Sequence, residues 1–159
     1  MIGKQMGLEV HVIDRMTSGL KPDLVEAIGA TYHSSNVSEI DFTPDVIMEC
    51  TGVGHLIAGA IAVLGASGVL CLTGVGHVGS VPKIATADVA SNAVLKNIVL
   101  FGSVNANKRH WFKASEALSQ ADRKWLERLI TRRETPENFQ KALDRKPDDI
   151  KVIIQFSDI

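Results

Sequence analysis

The run "EVHVID", Glu9 to Asp14, sets Val10, Val12 and Ile13 among polar positions and closes on an acid. β-Branched residues at this density favour an extended chain. Ahead of it, Met1 to Met6 reads as the last turns of a helix, and Gly7 supplies the left-handed residue that stops one. Behind it, Pro22 to Ile28 places Leu24, Val25 and Ile28 on one helical face before Gly29. "ATYH", Ala30 to His33, follows as a short second strand.

The same alternation continues to the end of the chain. Asp45 to Cys50, "DVIMEC", is the almost unbroken apolar run of a strand buried on both faces of a parallel sheet. Leu56 to Leu64 is a helix closed at Gly65, Gly68 to Thr73 a strand, Thr86 to Lys96 a helix and Ile98 to Val104 a strand. Helices over Lys108 to Leu118 and Arg123 to Arg132 come next, then a helix from Pro136 to Leu143 and a last strand from Lys151 to Phe156. Strands and helices alternating through glycine turns indicate right-handed crossovers, hence an α/β fold: a Rossmann-like parallel sheet with helices on both faces. A length of 159 residues suits a single domain over 1–159.

Composition excludes several classes of function. A net charge of −1 provides no field to draw the chain to nucleic acid or to an anionic membrane. The basic run "NKRHWFK", from Asn107, reads as a solvated helix face with Trp111 or Phe112 buried. Cys50 and Cys71 lie in strand-like runs with no neighbour at metal-ligand spacing, and the five histidines are scattered, so no metal is expected. The longest apolar stretch, Leu56 to Leu64, is too short to span a bilayer, and no signal-peptide pattern follows Met1. A reduced, cytoplasmic protein is the expectation.

Ligands of open α/β sheets bind at the carboxyl ends of the strands. Those ends are Asp14-Arg15, Thr51-Gly52, Thr73-Gly74 and Val104-Asn105, each joining a polar group to a small or turn-forming residue. A carboxylate at Asp14 can accept both hydroxyls of an adenine-linked ribose, which favours NAD, whereas Arg15 could turn toward a 2′-phosphate. "TGVGHVG" sets Gly74, Gly76 and Gly79 in G-x-G-x-x-G register, but "SVPK" follows and Pro82 interrupts any helix that would present its amides to a pyrophosphate. It reads instead as a loop beside the nicotinamide. "TGVGHLIAG" does open a helix, yet Ile57 stands where the third glycine belongs. Only thirteen residues precede Asp14, too few for a strand, a glycine turn and a crossover helix, so the fold is expected to lack its first strand and glycine-rich turn.

From "DVIMECTG" through "GVLCLTGVGHVGSVP" and "NIVLFGSVNANKRHW" to "DDIKVIIQF", nearly the whole chain resembles the carboxyl-terminal, nucleotide-binding portion of microbial glucose dehydrogenases of the medium-chain, zinc-containing superfamily. "GSVNANKRHW" is the most specific part. The resemblance implies a parent that oxidises an aldose at C1 by hydride transfer to NAD(P)+, with the catalytic domain and its zinc ligands outside these residues. It places Asp14 and Arg15 at the adenosine ribose or its phosphate, Thr51 and Gly52 at a cofactor-contacting turn, and Thr73 and Val75 beside the nicotinamide half. Ser103, Val104 and Asn105 would hold the carboxamide, with Asn105 reaching the sugar, and Lys151 matches a lysine near the cofactor. Where NADP-preferring relatives often carry a neutral residue and two arginines, this chain has Asp14, Arg15 and Met16, which tilts the reading toward NAD or dual use.

The resemblance also implies a homo-oligomer through the edge strand Ile98 to Val104, and a chain with no dehydrogenase activity by itself. Two other readings remain at this point. One is a different Rossmann-like enzyme such as a methyltransferase, whose ribose a strand-end acid would also hold. The other is a non-catalytic oligomerising fragment.

Overall fold

A computed structural model describes residues 1–76 and 86–157. In chain order the elements are α1 (Ile2–Gln5), β1 (His11–Ile13), α2 (Leu20–Ala27), β2 (Thr31–His33), β3 (Val46–Glu49), α3 (Gly54–Val63) and β4 (Val69–Leu72). They continue as α4 (Thr86–Lys96), β5 (Val99–Gly102), α5 (Lys108–Ser119), α6 (Arg123–Leu129), β6 (Ile130–Glu134), α7 (Phe139–Leu143) and β7 (Lys151–Ile154). Two compact units form, one from Met1–Ser34 with Lys108–Ile159 and the other from Ser35–Asn107. Every strand pairing described is parallel, as the alternating sequence requires. No helix among the described residues is long and apolar enough to cross a membrane.

In the second unit β3, β4 and β5 make a three-stranded sheet in that order. Its core is Ala60, Ile61 and Leu64 of α3 and its exit, packed on Leu70 of β4, with Ile47, Ile57, Leu72, Val89 and Ile98 around them. Leu64 and Leu70 are wholly buried, and each such side chain contributes about 1.5–3 kcal/mol through the water it sheds. The expected helix stop at Gly65 works differently. Beyond α3 the positive φ falls at Ser67, whereas Gly65 lies close against Thr43 and Pro44 and donates its N–H to the Pro44 carbonyl at 2.9 Å.

The first unit holds two pairs of strands, β1 with β2 and β6 with β7. Gly7 adopts φ +75° and ends α1, as expected, while the Leu8 N–H returns to the Gly3 carbonyl at 2.9 Å. Trp125 on α6 donates its indole N–H to the Leu24 carbonyl at 2.7 Å and so ties α6 to α2.

Two sequence expectations are corrected here. The helix predicted over Arg123 to Arg132 stops at Leu129, and Ile130 to Glu134 is a strand. Trp125, Leu126, Leu129 and Ile130 fit a helical period, but the ladder offered by β7 outweighs that local preference for the β-branched Ile130 and Thr131. Arg132 fastens the pair: its guanidinium donates to Asp149 at 2.8 and 3.2 Å, to Glu134 at 2.8 Å, and to the carbonyls of Lys141 and Asp144. The second correction concerns α5, where Trp111 and Phe112 are exposed rather than buried, at 70% and 66%.

Candidate functional site

The register of the β3-β4-β5 sheet aligns Glu49 with Leu72 and Leu72 with Gly102, so all three strands end together. Thr51-Gly52, Thr73 to Val75 and Ser103 to Asn105 therefore leave one carboxyl edge. Thr51, Gly52, Thr73, Gly74, Val75, Ser103, Val104 and Asn105, all singled out from the sequence, are gathered there. The ladder runs into the turns: the Thr73 N–H donates to the Glu49 carbonyl at 2.8 Å, and the Ser103 N–H to the Leu72 carbonyl at 3.0 Å. Ser103, Val104 and Asn105 are all exposed.

Glycine explains how the first two turns fit. Gly52 has φ +69°, a conformation that side chains resist. A Cβ on Gly52 would collide with the backbone of Val75 and Gly76, and one on Gly74 with the backbone of Cys50, Thr51 and Gly52. The two turns pack main chain against main chain with no room for a methyl group. Gly74 and Gly76 thus serve this close approach. Gly79 and Pro82 of the same motif, and His77, lie outside the described residues.

Glu49 holds the turn from beneath and was not anticipated. Its side chain is buried, with 6% of the residue exposed. One carboxylate oxygen accepts the Thr51 N–H at 2.7 Å together with the Thr51 hydroxyl, and the other accepts the Gly52 N–H at 3.0 Å. A buried carboxylate needs such donors to offset lost hydration. The signal available in the sequence was Glu49 itself, the one acid inside the apolar run from Val46 to Cys50.

In the first unit, Asp14 follows β1 and extends its ladder by donating its N–H to the His33 carbonyl at 3.1 Å. One Asp14 oxygen accepts the Arg15 N–H at 2.7 Å and the other the Lys21 ammonium at 2.9 Å. The Lys21 hydrogen bond, with a smaller contribution from the Arg15 N–H, holds the carboxyl below the usual carboxylate range, against the opposing effect of burial. The Tyr32 hydroxyl donates to the Met16 carbonyl at 2.8 Å and pins the turn to β2. Burial and the neighbouring Asp14 charge push that hydroxyl's pKa up, so it stays a donor. Neither Lys21 nor Tyr32 was anticipated; they lie seven and eighteen residues beyond the Asp14 strand end they organise.

Lys151, the last predicted position, begins β7 and so stands at the amino end of its strand. His11 and His33 stack with ring centroids 5.1 Å apart and share a hydrogen bond of 2.8 Å, and Glu9 meets the other nitrogen of His11. Among the described residues, no group of three or more His, Cys, Asp or Glu side chains could hold a metal ion.

Comparison with known proteins places these features in context. The family described as "Glucose dehydrogenase C-terminus" matches residues 1–156. Glucose 1-dehydrogenase 1 of Caldivirga maquilingensis is 34% identical, over 99% of this chain and 46% of its own length. Glucose 1-dehydrogenase of Methanocella arvoryzae is 29% identical over 98% of this chain and 46% of its length. The chain thus spans about half the length of the curated relatives it matches. Among solved structures, the glucose dehydrogenase of Haloferax mediterranei in complex with NADP, zinc and gluconolactone superposes with a TM-score of 0.84 at 26% identity, over 95% of this chain and 44% of that one.

Proposed function

The chain belongs to the glucose dehydrogenase C-terminus family, and on that premise we propose that it is the nucleotide-binding part of an NAD(P)-dependent aldose 1-dehydrogenase. The whole activity then belongs to a protein about twice this length, in which a bound nicotinamide would supply the acceptor for the C1 hydride of the sugar, the C1 hydroxyl proton passing to a base or solvent as the lactone forms. One observation carries the reading: Gly52, Gly74 and Gly76 lock the turns after β3 and β4 main chain to main chain on the carboxyl edge of a parallel sheet, the edge at which ligands of such sheets bind.

On this reading Asp14 and Arg15 take the adenosine ribose, and Thr51 and Gly52 line the turn beside the cofactor. Thr73 and Val75 flank the nicotinamide half, and Ser103, Val104 and Asn105 hold the carboxamide with Asn105 directed to the sugar. Lys151 is assigned to the cofactor by family resemblance alone. Glu49 acts as a positioning residue for the Thr51-Gly52 turn. Zinc, which activates the alcohol in such a reaction, is assigned to the remainder of the parent. The β5 edge, whose Val99, Leu100 and Phe101 are exposed, is the surface assigned to a second copy.

Calorimetric titration with NAD, NADP and S-adenosylmethionine tests the assignment. Heat from either nicotinamide cofactor is expected; silence from both, or a response to S-adenosylmethionine instead, overturns it. Glucose turnover by this chain alone, with NAD(P)+ and zinc supplied, would show that the catalytic groups lie within it after all. Sedimentation that detects only monomer at high concentration would remove the β5 edge as a dimer surface.

A further inference from the structure

We propose that His11 and His33 form a binding site for a divalent transition-metal ion of the zinc, nickel and copper group, held between β1 and β2. The inference stands apart from the cofactor reading above. The two histidines are 22 residues apart in the chain, which is why the sequence leaves them scattered. The parallel register sets His11 opposite Thr31 and His33 opposite Ile13. The two imidazoles are therefore diagonal neighbours on one face of the strand pair. His11 Nδ1 and His33 Nε2 face each other at 2.8 Å.

Glu9 prepares the pair for an ion. Its carboxylate meets His11 Nε2 at 3.1 Å. A carboxylate only accepts, so Nε2 carries the proton and the neutral ring presents a lone pair at Nδ1. A carboxylate on the far nitrogen is the usual partner of a metal-bound imidazole, because it fixes the tautomer and raises the basicity of the ligating atom. Without an ion, His33 donates its Nε2–H to that lone pair. When an ion enters, the proton leaves Nε2 through solvent, His33 takes the other tautomer, and two lone pairs converge. An ion about 2.1 Å from each nitrogen holds a tetrahedral pair roughly 3.4 Å apart, about half an ångström wider than the shared hydrogen bond. Imidazole ring torsions are soft, so the rings can swing apart by that amount. Imidazole nitrogen suits zinc, nickel and copper, whereas magnesium and calcium take oxygen. Among the described residues no third His, Cys, Asp or Glu joins the pair, so water completes the coordination shell.

The test is a titration of the full chain with Ni2+ alone, the cysteines kept reduced, followed by NMR through the ring C–H signals of the histidines. The paramagnetic ion broadens the signals of the rings that bind it. Those of His11 and His33 should broaden together, and before those of the exposed His55 and His110. In calorimetry, His11→Gln and His33→Gln should each remove the site, and Mg2+ should give no heat. Glu9→Gln should weaken Ni2+ binding about tenfold, the usual effect of losing a carboxylate behind a ligating imidazole. The Glu9 side chain is 86% exposed, so this variant keeps the fold and separates a lost ion from a lost structure. Signals of His11 and His33 that stay sharp in excess Ni2+, that broaden singly, or that broaden only after those of His55 or His110 overturn the site. An affinity that both histidine variants leave unchanged does the same, and one that Glu9→Gln leaves unchanged overturns the positioning role of Glu9.

Discussion

Removing the Glu49 carboxylate should loosen the second unit by a calculable amount. Its oxygens accept two backbone N–H groups, from Thr51 at 2.7 Å and Gly52 at 3.0 Å, and the Thr51 hydroxyl. The hydroxyl can turn to water because Thr51 is exposed, but the two N–H groups lie beside a half-buried turn. Hydrogen bonds to a charged acceptor contribute about 1.5–3 kcal/mol each, and part of that offsets the cost of burying the carboxylate. Glu49→Ala should therefore destabilise the unit by about 2–4 kcal/mol. Glu49→Gln keeps one acceptor but aims an NH2 group at N–H donors, and should lose about 1–3 kcal/mol. Both tryptophans, Trp111 and Trp125, lie outside Ser35–Asn107, so fluorescence does not report on this unit. Amide hydrogen exchange at Ile61, Leu64 and Leu70 does, and for Glu49→Ala it should accelerate by about thirtyfold to a thousandfold. If both variants exchange within about twofold of the parent, the carboxylate does not support the turn and the positioning role assigned to it is wrong.

Gly74→Ala should be destabilising by about 1–3 kcal/mol in the same exchange assay, because its methyl group would overlap the backbone of Cys50, Thr51 and Gly52; protection equal to the parent would show that the turns are not locked together. In the first unit, the Arg132 hydrogen bond and then the Lys146 N–H lower the Asp149 pKa from 3.8 to about 2. A depressed carboxyl pKa contributes stability that is complete above the unfolded value and disappears as pH falls through the folded one. Acid titration followed by Trp125 fluorescence should thus show a loss between about pH 4 and pH 2 that Asp149→Asn removes, and an unchanged acid profile in that variant would contradict the assignment.

"DVIMEC" and "GVLCLT" were legible as strands of a parallel sheet from their apolar runs, but the expectation of burial on both faces holds only for β4: Val46 and Met48 of β3 are 60% and 59% exposed. Gly7 and Gly29 were legible as helix stops because a left-handed residue is required there whatever surrounds it. β6 was not legible. Its residues satisfy a helical period as well as a strand, and the choice was made by a ladder partner about twenty residues further along the chain. Arg132 seals that choice through groups at positions 134, 141, 144 and 149, none of which marks it in isolation.

The candidate site divides in the same way. Thr51, Gly52, Thr73 and Asn105 could be placed from the sequence because strand ends can be counted and the parallel β3-β4-β5 sheet puts its strand ends on one edge; the same count placed Asp14 at the end of β1 in the first unit. Lys21, Tyr32 and Glu49 could not. Composition, the alternation of strand and helix, and the family resemblance are properties of the chain's order, and they determined the fold class and the strand-end turns. Which acid is neutralised by which lysine, which carboxylate is buried under a turn, and why Gly74 must be glycine were decided only by tertiary structure. Those facts depend on distances of about 3 Å between groups whose approach the order of the chain does not specify, and hydrogen bonds and steric exclusion act only at that range.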